Sequence, residues 1–459
     1  MVTEARPTPP DASTSAILRL AWPLLLANLA VVGNGTIDTV MAGRLSATDM
    51  AGVAVASNIY VTVYIGFMAV LQALSPIAGH HYGAHRWRAI GDDLQQALWL
   101  AILLVLLALP CLLATGFWTR VASVDGRVAT VVSTYLHAVA FGLPAALASR
   151  VFVALNAAVS RPKVTMIINL TALALKAPLN AVFMYGWGPV DAMGGAGAGV
   201  ATGLLAWLAL AMSAAIWRFD RFYDRFRSGA VHGPRWASLR ELLRLGLPIG
   251  MSTVFEVTSF TFMAVLIARL GAVPVAGHQI VANLIALLFM LPLSLGISTS
   301  VLVAQSLGSG SPHAARSVTA RGVRLALVVA VVAATLLWQL REPIVRLYTT
   351  DAAVETMALS LLGTAALFHV FDAAQGMGSF VLRGYRQTFW PMIIYGVALW
   401  GLGLGGGTWL AFRGTPWGAP RGAPGFWEAA TVALGITAAA LAWLMAVEAN
   451  RRVAEHRVH

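Results

Sequence analysis

The sequence predicts an all-α integral membrane protein of twelve transmembrane helices, built from one duplicated unit. Three observations lead to this fold class. The 459 residues are 58% hydrophobic and 11% charged, with a mean hydropathy of +0.75, which excludes a soluble globular composition. Apolar stretches near the ~20 residues that a bilayer-spanning helix needs recur along the chain. The first part of the chain is also repeated, in register, in the second part.

Each apolar stretch is expected to be helical, because a backbone exposed to lipid must satisfy its hydrogen bonds within its own segment. Several stretches contain proline, notably Pro23 and Pro248, which are expected to bend their helices. The Gly-rich run Gly194, Gly195, Gly197 and Gly199 follows no strand, so it predicts close helix packing rather than a nucleotide loop. The predicted spans are 16–42, 50–78, 94–117, 128–156, 163–187, 194–217, 241–268, 275–305, 318–340, 352–382, 389–412 and 427–449.

The duplication is visible when each residue is paired with the one 225 positions later. The matches begin with Leu18, paired with Leu243, and extend without a gap to Ala89, paired with Ala314. Composition alone explains some identity between apolar segments, but it does not explain matched Pro, Arg, Asn and Gly at one fixed offset. The pattern therefore indicates a duplicated membrane unit. Examples of the identical pairs are Arg19 with Arg244, Pro23 with Pro248, Asn58 with Asn283, and Gly83 with Gly308.

The distribution of Lys and Arg predicts the orientation. Most of the 31 basic residues fall in the even-numbered loops and both tails, which places both termini in the cytoplasm. The net charge of +12 is thereby explained by topology and contact with anionic lipids, and no nucleic acid is implied. The expected organisation is a disordered tail at 1–15 without a signal peptide, a first half at 16–217, a cytoplasmic linker at 218–239, a second half at 240–450 and a basic tail at 451–459.

Three carboxylates lie inside the spans and away from the span ends: Asp38 in the first, Glu256 in the seventh and Asp372 in the tenth. A charge at mid-bilayer costs at least ~2.5–3.5 kcal/mol on the insertion scale, so each needs a stabilising partner. An internal ion pair, or protonation of the carboxyl, would be enough to stabilise a single buried acid. Three together indicate sites where protons or other cations bind.

Polar neighbours strengthen the first of these positions. Lys176 and Asn180 are four residues apart on the fifth helix and share a face, while Thr202 lies on the sixth. Lys176 is too far from either end of its span to reach the interface easily, and we expect it to pair with Asp38.

The second half has its own polar positions. Gln279 and Asn283 share a face of the eighth helix, with Phe289 beyond them, and form a candidate cation or substrate site. His278 and His369 could relay protons, although a hydrogen-bonded packing role is the more ordinary expectation for each.

These residues occur in motifs that resemble the multidrug and toxic compound extrusion (MATE) family, in its NorM-type branch, from about Ala16 to Ala449. The resemblance is carried by Trp22–Pro23, IDTVMAGRLSATDMAGVAVA (37–56), NLTALALKAPLNAVFMYG (169–186), GGAGAGVAT (194–202), PIGMSTVFEVTSF (248–260), AGHQIVANLIALLFMLPLSLG (276–296) and FDAAQGMGSFVLRGY (371–385).

The resemblance implies two pseudo-symmetric six-helix lobes around a central cavity, acting as a monomer in a bacterial-type inner membrane. Such proteins export cationic, lipophilic compounds in exchange for inward protons or sodium, with no other cofactor. The family's first-helix acid and fifth-helix amide match Asp38 and Asn180. Its second cation site, which can hold sodium, matches Glu256 and Asp372.

Two departures from the family pattern favour protons over sodium as the coupling ion. Relatives that bind sodium can carry a Tyr one turn before the tenth-helix acid, and this chain has Phe368 there. Relatives can also carry an acid or amide four residues after the fifth-helix Asn, and this chain has Met184 there. Both changes remove oxygen ligands, which hard cations such as sodium need.

Two other functions remain open at this point. One is a lipid-linked precursor flippase of similar build, which would prefer a cationic cavity for pyrophosphate. The other is a membrane-embedded enzyme, for which the sequence offers no nucleophile or metal-ligand motif.

Overall fold

The structure is a computed structural model that describes residues 11–124, 126–227, 232–414 and 418–458. Within these residues, twelve helices are long and apolar enough to cross a membrane, as the sequence predicts. We number these spanning helices α1 to α12. They are α1 Thr14–Leu45, α2 Ala47–Gly83, α3 Trp87–Leu113, α4 Gly126–Ala158, α5 Pro162–Tyr185, α6 Gly194–Phe219, α7 Trp236–Ala268, α8 Ala272–Gly308, α9 Pro312–Gln339, α10 Ala352–Gly384, α11 Phe389–Phe412 and α12 Ala423–His456.

Local sequence explains where several helices begin. The Ser46 hydroxyl caps α2 by accepting the N–H of Asp49. Proline stands in the first turn of α5 and of α9, at Pro162 and Pro312, where its missing N–H costs no hydrogen bond. The Asp351 carboxylate caps α10 by accepting two backbone N–H groups.

The duplication appears in the helix bounds. The helices α2 and α8 begin and end 225 residues apart, since 272 − 47 and 308 − 83 are both 225. Each half also places a short connecting helix after its third spanning helix, at Thr115–Val121 and at Arg341–Tyr348. The helices α4 and α10 then begin 226 residues apart, so the repeat extends beyond the part that is evident from residue identities.

By internal contacts the chain forms two units. One runs from Trp22 to Gly250, and the other comprises the described residues up to Ala21 together with those from Met251 onward. This division differs from the expected boundary at 218–239, because the first turns of α1 and α7 are each grouped with the opposite half of the chain. Pro23 and Pro248 lie beside the two boundaries, inside continuous helices; the bend expected at each stays a prediction.

Glycines allow close helix contacts in the unit Trp22–Gly250. A methyl group on Gly142 of α4 would overlap the backbone of Gly203 on α6. Gly197 lies against the backbone of Phe183 and Gly199 against that of Tyr135, at distances that leave no room for a β-carbon. The close packing expected from the Gly-rich run is therefore confirmed.

The linker predicted at 218–239 is partly ordered against this unit. Arg221–Phe226 forms a 3₁₀ helix that buries Tyr223 and Phe226. The Tyr223 hydroxyl donates to Asn156 on α4 at 2.7 Å, and the Phe226 carbonyl lies directly against Gly91 of α3. The first half of this segment is thus a packed element, while residues 228–231 lie outside the described residues.

The other unit is centred on α10, which contacts α8, α9 and α12. The helix that contains the span α12 continues as far as Val458, so the described part of the tail predicted at 451–459 is helical. The Glu448 carboxylate binds both Arg451 and Arg452. Of the tail predicted to be disordered at 1–15, residues 1–10 lie outside the described residues, and α1 begins at Thr14.

Candidate cation sites within the spanning helices

The predicted pair between Asp38 and Lys176 forms in the unit Trp22–Gly250. The Lys176 ammonium lies 2.9 Å from Asp38 Oδ1, and the Asn180 amide donates to the same oxygen at 2.7 Å. Lys176 also donates to Thr202 Oγ1 at 2.6 Å, and Thr202 itself donates to the Ala198 carbonyl. Three spanning helices therefore contribute to one buried polar cluster.

The cluster is almost fully buried, since the exposed fraction is 5% for Asp38 and 1% for Lys176. A buried ion pair is tolerated when hydrogen bonds satisfy its remaining donors, as Thr202 does here. Asn180 Oδ1 is buried and has no hydrogen-bond partner among the described residues. Met184, one turn further along α5, is fully buried and adds no oxygen ligand. The negative charge of Asp38 is already neutralised by a side chain of the protein.

The second pair of acids is arranged differently. Gln375, one turn after Asp372 on α10, donates from Nε2 to Asp372 Oδ1 at 3.0 Å and to Glu256 Oε1 at 3.3 Å. A primary amide has two N–H donors, so one group joins both carboxylates. The Tyr395 hydroxyl of α11 in turn donates to Gln375 Oε1 and orients the amide. The structure therefore brings Glu256 and Asp372 together, as the sequence predicts.

Neither Glu256 nor Asp372 forms a salt bridge among the described residues, although Asp372 is buried and Glu256 half-buried. Two carboxylates joined only through a neutral amide repel one another when both are ionised. Binding of a proton or another cation removes this repulsion. Among the described residues, no group of three or more His, Cys, Asp or Glu could hold a metal ion, and Gln375 Oε1 is already bonded.

Sequence reasoning missed Gln375 and Tyr395. Gln375 could have been found, because it is a polar residue inside an apolar span, three residues after Asp372 and hence on the same face. Tyr395 lies on another helix, in a stretch with no polar pattern, so only the folded chain shows its role.

The candidate positions of α8 do not join this cluster. Gln279 and Asn283 are exposed, and the Asn283 side chain accepts a hydrogen bond from the Tyr348 hydroxyl at 2.9 Å. Phe289 does lie near the site, because its ring contacts α10 at Gly376. A cation- or substrate-binding role for the two amides stays a prediction.

The two histidines are packed differently from the expectation: His369 lacks the hydrogen bond expected of it among the described residues, and His278 lacks one at Nδ1. Both nitrogens of His369 and Nδ1 of His278 are buried and have no partner in the described part of the chain. His278 packs against the Trp427 ring. Trp427 also packs against Phe368, with 5.2 Å between the two ring centroids. Phe368 is fully buried in this aromatic group, and its ring has no oxygen that could bind a cation beside Asp372.

One further charged residue was overlooked. Arg150 falls within the predicted span 128–156, and it was not among the candidate residues that the sequence indicated. In the structure it lies on α4, eight residues before Ala158, where its Nε donates to the Tyr64 hydroxyl of α2 at 2.6 Å.

Twelve apolar helices in two repeated halves, with carboxylate clusters inside each, define a polytopic membrane transporter. The pattern of the MatE family matches residues 23–182 and 248–408, one match in each half. The chain is 40% identical to "Probable multidrug resistance protein NorM" of Aromatoleum aromaticum, over 96% of both chains. It is 36% identical to "Multidrug resistance protein MdtK" of Edwardsiella ictaluri, over 93% of both.

Solved structures agree on the fold. The eukaryotic MATE transporter AtDTX14 superimposes with a TM-score of 0.86 at 20% identity, covering 96% of this chain and 98% of that one. A multidrug resistance MATE family transporter in an outward-facing conformation has a TM-score of 0.84 at 16% identity, covering 97% and 96%. The chain belongs to the multidrug and toxic compound extrusion (MATE) family, whose members are transporters and not enzymes.

Proposed function

We propose that this protein is a secondary multidrug efflux antiporter, which exports cationic, lipophilic compounds in exchange for inward protons by alternating access. Relatives that are named multidrug resistance proteins support the drug-export part of the proposal. The observation that carries the exchange part is the pair Glu256 and Asp372, joined through Gln375 without a salt bridge in the described chain.

The two carboxylate clusters have different roles in this mechanism. Asp38 is neutralised by Lys176, so a cation can bind there only when the ammonium is displaced or has lost its proton. Glu256 and Asp372 form no salt bridge among the described residues, although Arg383 of α10 acts electrostatically on Glu256, and we assign the main coupling step to these two acids. Sodium is the alternative ion, but Phe368 and the bonded Gln375 leave few oxygen ligands for it.

Competition for negative charge then drives the exchange. Protons that enter from outside neutralise Glu256 and Asp372 and weaken the binding of a cationic drug, which leaves outward. After the change of access, the protons leave on the cytoplasmic side and the ionised carboxylates favour a new drug cation. Pro23 and Pro248 would let α1 and α7 bend during this change.

The membrane potential makes the cycle favourable. When two protons enter for each monovalent drug cation that leaves, one net elementary charge moves inward and gains ~2.3 kcal/mol per 100 mV. Because ~1.4 kcal/mol corresponds to a tenfold ratio, this net charge supports a roughly 50-fold drug gradient at that voltage. We place the protein in the cytoplasmic membrane with both termini inside the cell, as the distribution of basic residues predicts. A pyrophosphate-lipid flippase would need a cationic site, and the Glu256 cluster is acidic.

The test is transport of ethidium into inverted vesicles, where uptake corresponds to efflux from the cell, under a pH gradient or a sodium gradient, imposed separately. We expect the pH gradient to drive efflux, and Glu256→Gln and Asp372→Asn to abolish it while the protein inserts normally. Glu355→Gln is the matched control, because this acid lies on the same helix as Asp372 and pairs with Arg346 near the helix start. Wild-type efflux from the Glu256→Gln variant would overturn the assignment.

A further inference from the structure

A groove lies between α9 and α12 and encloses about 520 Å³. Its lining on α9 includes Arg316, Ala320, Arg324 and Val328, whose spacing of four residues places them on one face of the helix. All four side chains are exposed. One stripe of α9 therefore presents two positive charges and small or apolar side chains to the same groove.

The groove is basic at one end and apolar at the other. Arg316 of α9 and Arg452 of α12 both act electrostatically on Tyr385, so the start of α9 and the end of α12 lie at the same end of the groove. Further along, the lining is apolar and includes Val328 on α9 and Ala442 on α12. The two ends therefore suit the two parts of an amphipathic molecule.

The two arginines of the groove are not paired with an acid. Neither Arg316 nor Arg324 forms a salt bridge among the described residues, and Glu448 of α12 is bound by Arg451 and Arg452. Helical side chains lean toward the N-terminus of their helix, so the Arg324 side chain leans toward the basic end of the groove. Both guanidinium groups are therefore available to bind an anion there.

The internal repeat shows what contacts the corresponding face in the first half of the chain. Gly91 and Trp99 of α3 stand 225 residues before the two arginines. The Phe226 carbonyl lies directly against Gly91, and the Trp99 indole N–H donates to the His232 carbonyl at 3.1 Å. The segment that follows α6 thus packs on this face of α3, whereas the helix that contains α12 continues to Val458. The corresponding face of α9 is exposed, and a ligand can occupy it.

We propose that this groove binds one anionic phospholipid, whose phosphate contacts Arg316 and Arg324 and whose acyl chain lies along the apolar part. With the orientation proposed above, the basic end lies at the cytoplasmic leaflet, where anionic lipids are attracted to basic pockets between helices. A free phosphate ion would leave the apolar part unfilled, and a neutral lipid would leave both arginines without a counterion. The lipid joins α9 to α12 and is not an exported solute, so this inference goes beyond the proposed function and does not depend on it.

The experiment is native mass spectrometry of the delipidated protein in detergent, titrated with dioleoyl phosphatidylglycerol or dioleoyl phosphatidylcholine. These lipids share their acyl chains and differ in net charge. We expect the wild type to bind its first phosphatidylglycerol about tenfold or more tightly than phosphatidylcholine, because charged hydrogen bonds are formed.

The double variant Arg316→Gln, Arg324→Gln should lose this preference. Arg321→Gln is the matched control and should keep it, because Arg321 lies outside the groove lining and donates to the Ala12 carbonyl. Equal affinity of the wild type for the two lipids would overturn the proposal. A preference that the double variant keeps, or that the control loses as well, would also overturn it.

A second variant tests the apolar part of the groove. Ala446→Phe fills the groove and leaves both arginines in place, so it should weaken phosphatidylglycerol binding, whereas Val447→Phe, on the same helix but outside the lining, should not. Unchanged binding by Ala446→Phe would mean that the basic surface alone attracts the lipid. Displacement of the lipid by inorganic phosphate would mean that the site takes a free anion. Either result contradicts the groove as a lipid site.

A measurement on the wild type covers the case in which the variants fail to fold. Phosphatidylglycerol with a photoactivatable diazirine in its acyl chain is bound and irradiated, and the adducts are mapped by peptide sequencing. We expect them to concentrate in residues 323–328 and 442–446, which contain the apolar lining. Adducts spread evenly over the spanning helices would contradict the proposal.

Discussion

Removing Lys176 should leave Asp38 as an uncompensated charge inside the unit Trp22–Gly250. At the observed 2.9 Å the Coulomb attraction is about 6 kcal/mol for an effective dielectric constant of ~20. Desolvation of both groups offsets much of this attraction, but loss of one partner from a buried pair still costs about 3–5 kcal/mol. We therefore expect Lys176→Met to lower the free energy of unfolding by about that amount.

The double variant Asp38→Asn, Lys176→Met distinguishes lost attraction from lost packing. With both charges removed, no buried charge is left unpaired, and most of the stability should return. Unfolding is measured by tryptophan fluorescence in mixtures of dodecyl maltoside and sodium dodecyl sulfate. The matched control is Lys163→Met on the same helix, where the exposed ammonium lies 5.8 Å from the Trp22 ring.

Two results would refute this reasoning. One is a Lys176→Met variant whose stability equals that of the Lys163→Met control. The other is a double variant no more stable than Lys176→Met, which would mean that the lysine contributes through its apolar stem and not through its charge.

Two further predictions concern the linker that packs on α3. Gly91→Ala should displace the 3₁₀ helix Arg221–Phe226, because the added methyl group would overlap the Phe226 carbonyl. Gly116→Ala is the control and should have no effect, since a β-carbon there would contact nothing within 4 Å. Faster hydrogen exchange of residues 221–226 in the first variant alone is the expected readout. The Phe222 N–H holds the pKa of Asp220 below its ordinary value of 3.8, so this contact stabilises the linker above that pH and is lost as pH falls through the lowered pKa. Asp220→Asn should therefore exchange faster than the wild type at pH 6, and the difference should narrow as the pH falls below 3.8 and through the lowered pKa; a difference that does not narrow would contradict the role of the carboxylate charge.

Much of the cation site could be predicted because a charge in an apolar span is conspicuous. Asp38, Glu256 and Asp372 stand out in the sequence by the cost of placing them in lipid. Lys176 could be matched to Asp38 on the same grounds. The amide Gln375 is less conspicuous, because a neutral polar residue in a span is common and can satisfy itself locally.

Other features depend on which helix faces which. Gln279 and Asn283 share a helical face as predicted, but that face is exposed and does not join the Glu256 cluster. Helical periodicity shows which residues are neighbours on one helix and does not show what another helix places against them. Arg150 was overlooked for a related reason: a base near the end of a predicted span is usually assigned to the interface.

The sequence by itself determined the fold class, the twelve spans, the repeat and the three intramembrane carboxylates. These follow from hydropathy, charge and a fixed offset, which are local properties of the chain. Only the tertiary structure decided that Gln375 and Tyr395 join Glu256 to Asp372, and that Arg150 forms no salt bridge among the described residues. The physical reason is that charge compensation depends on distances of about 3 Å between different helices, and no spacing along one helix specifies them.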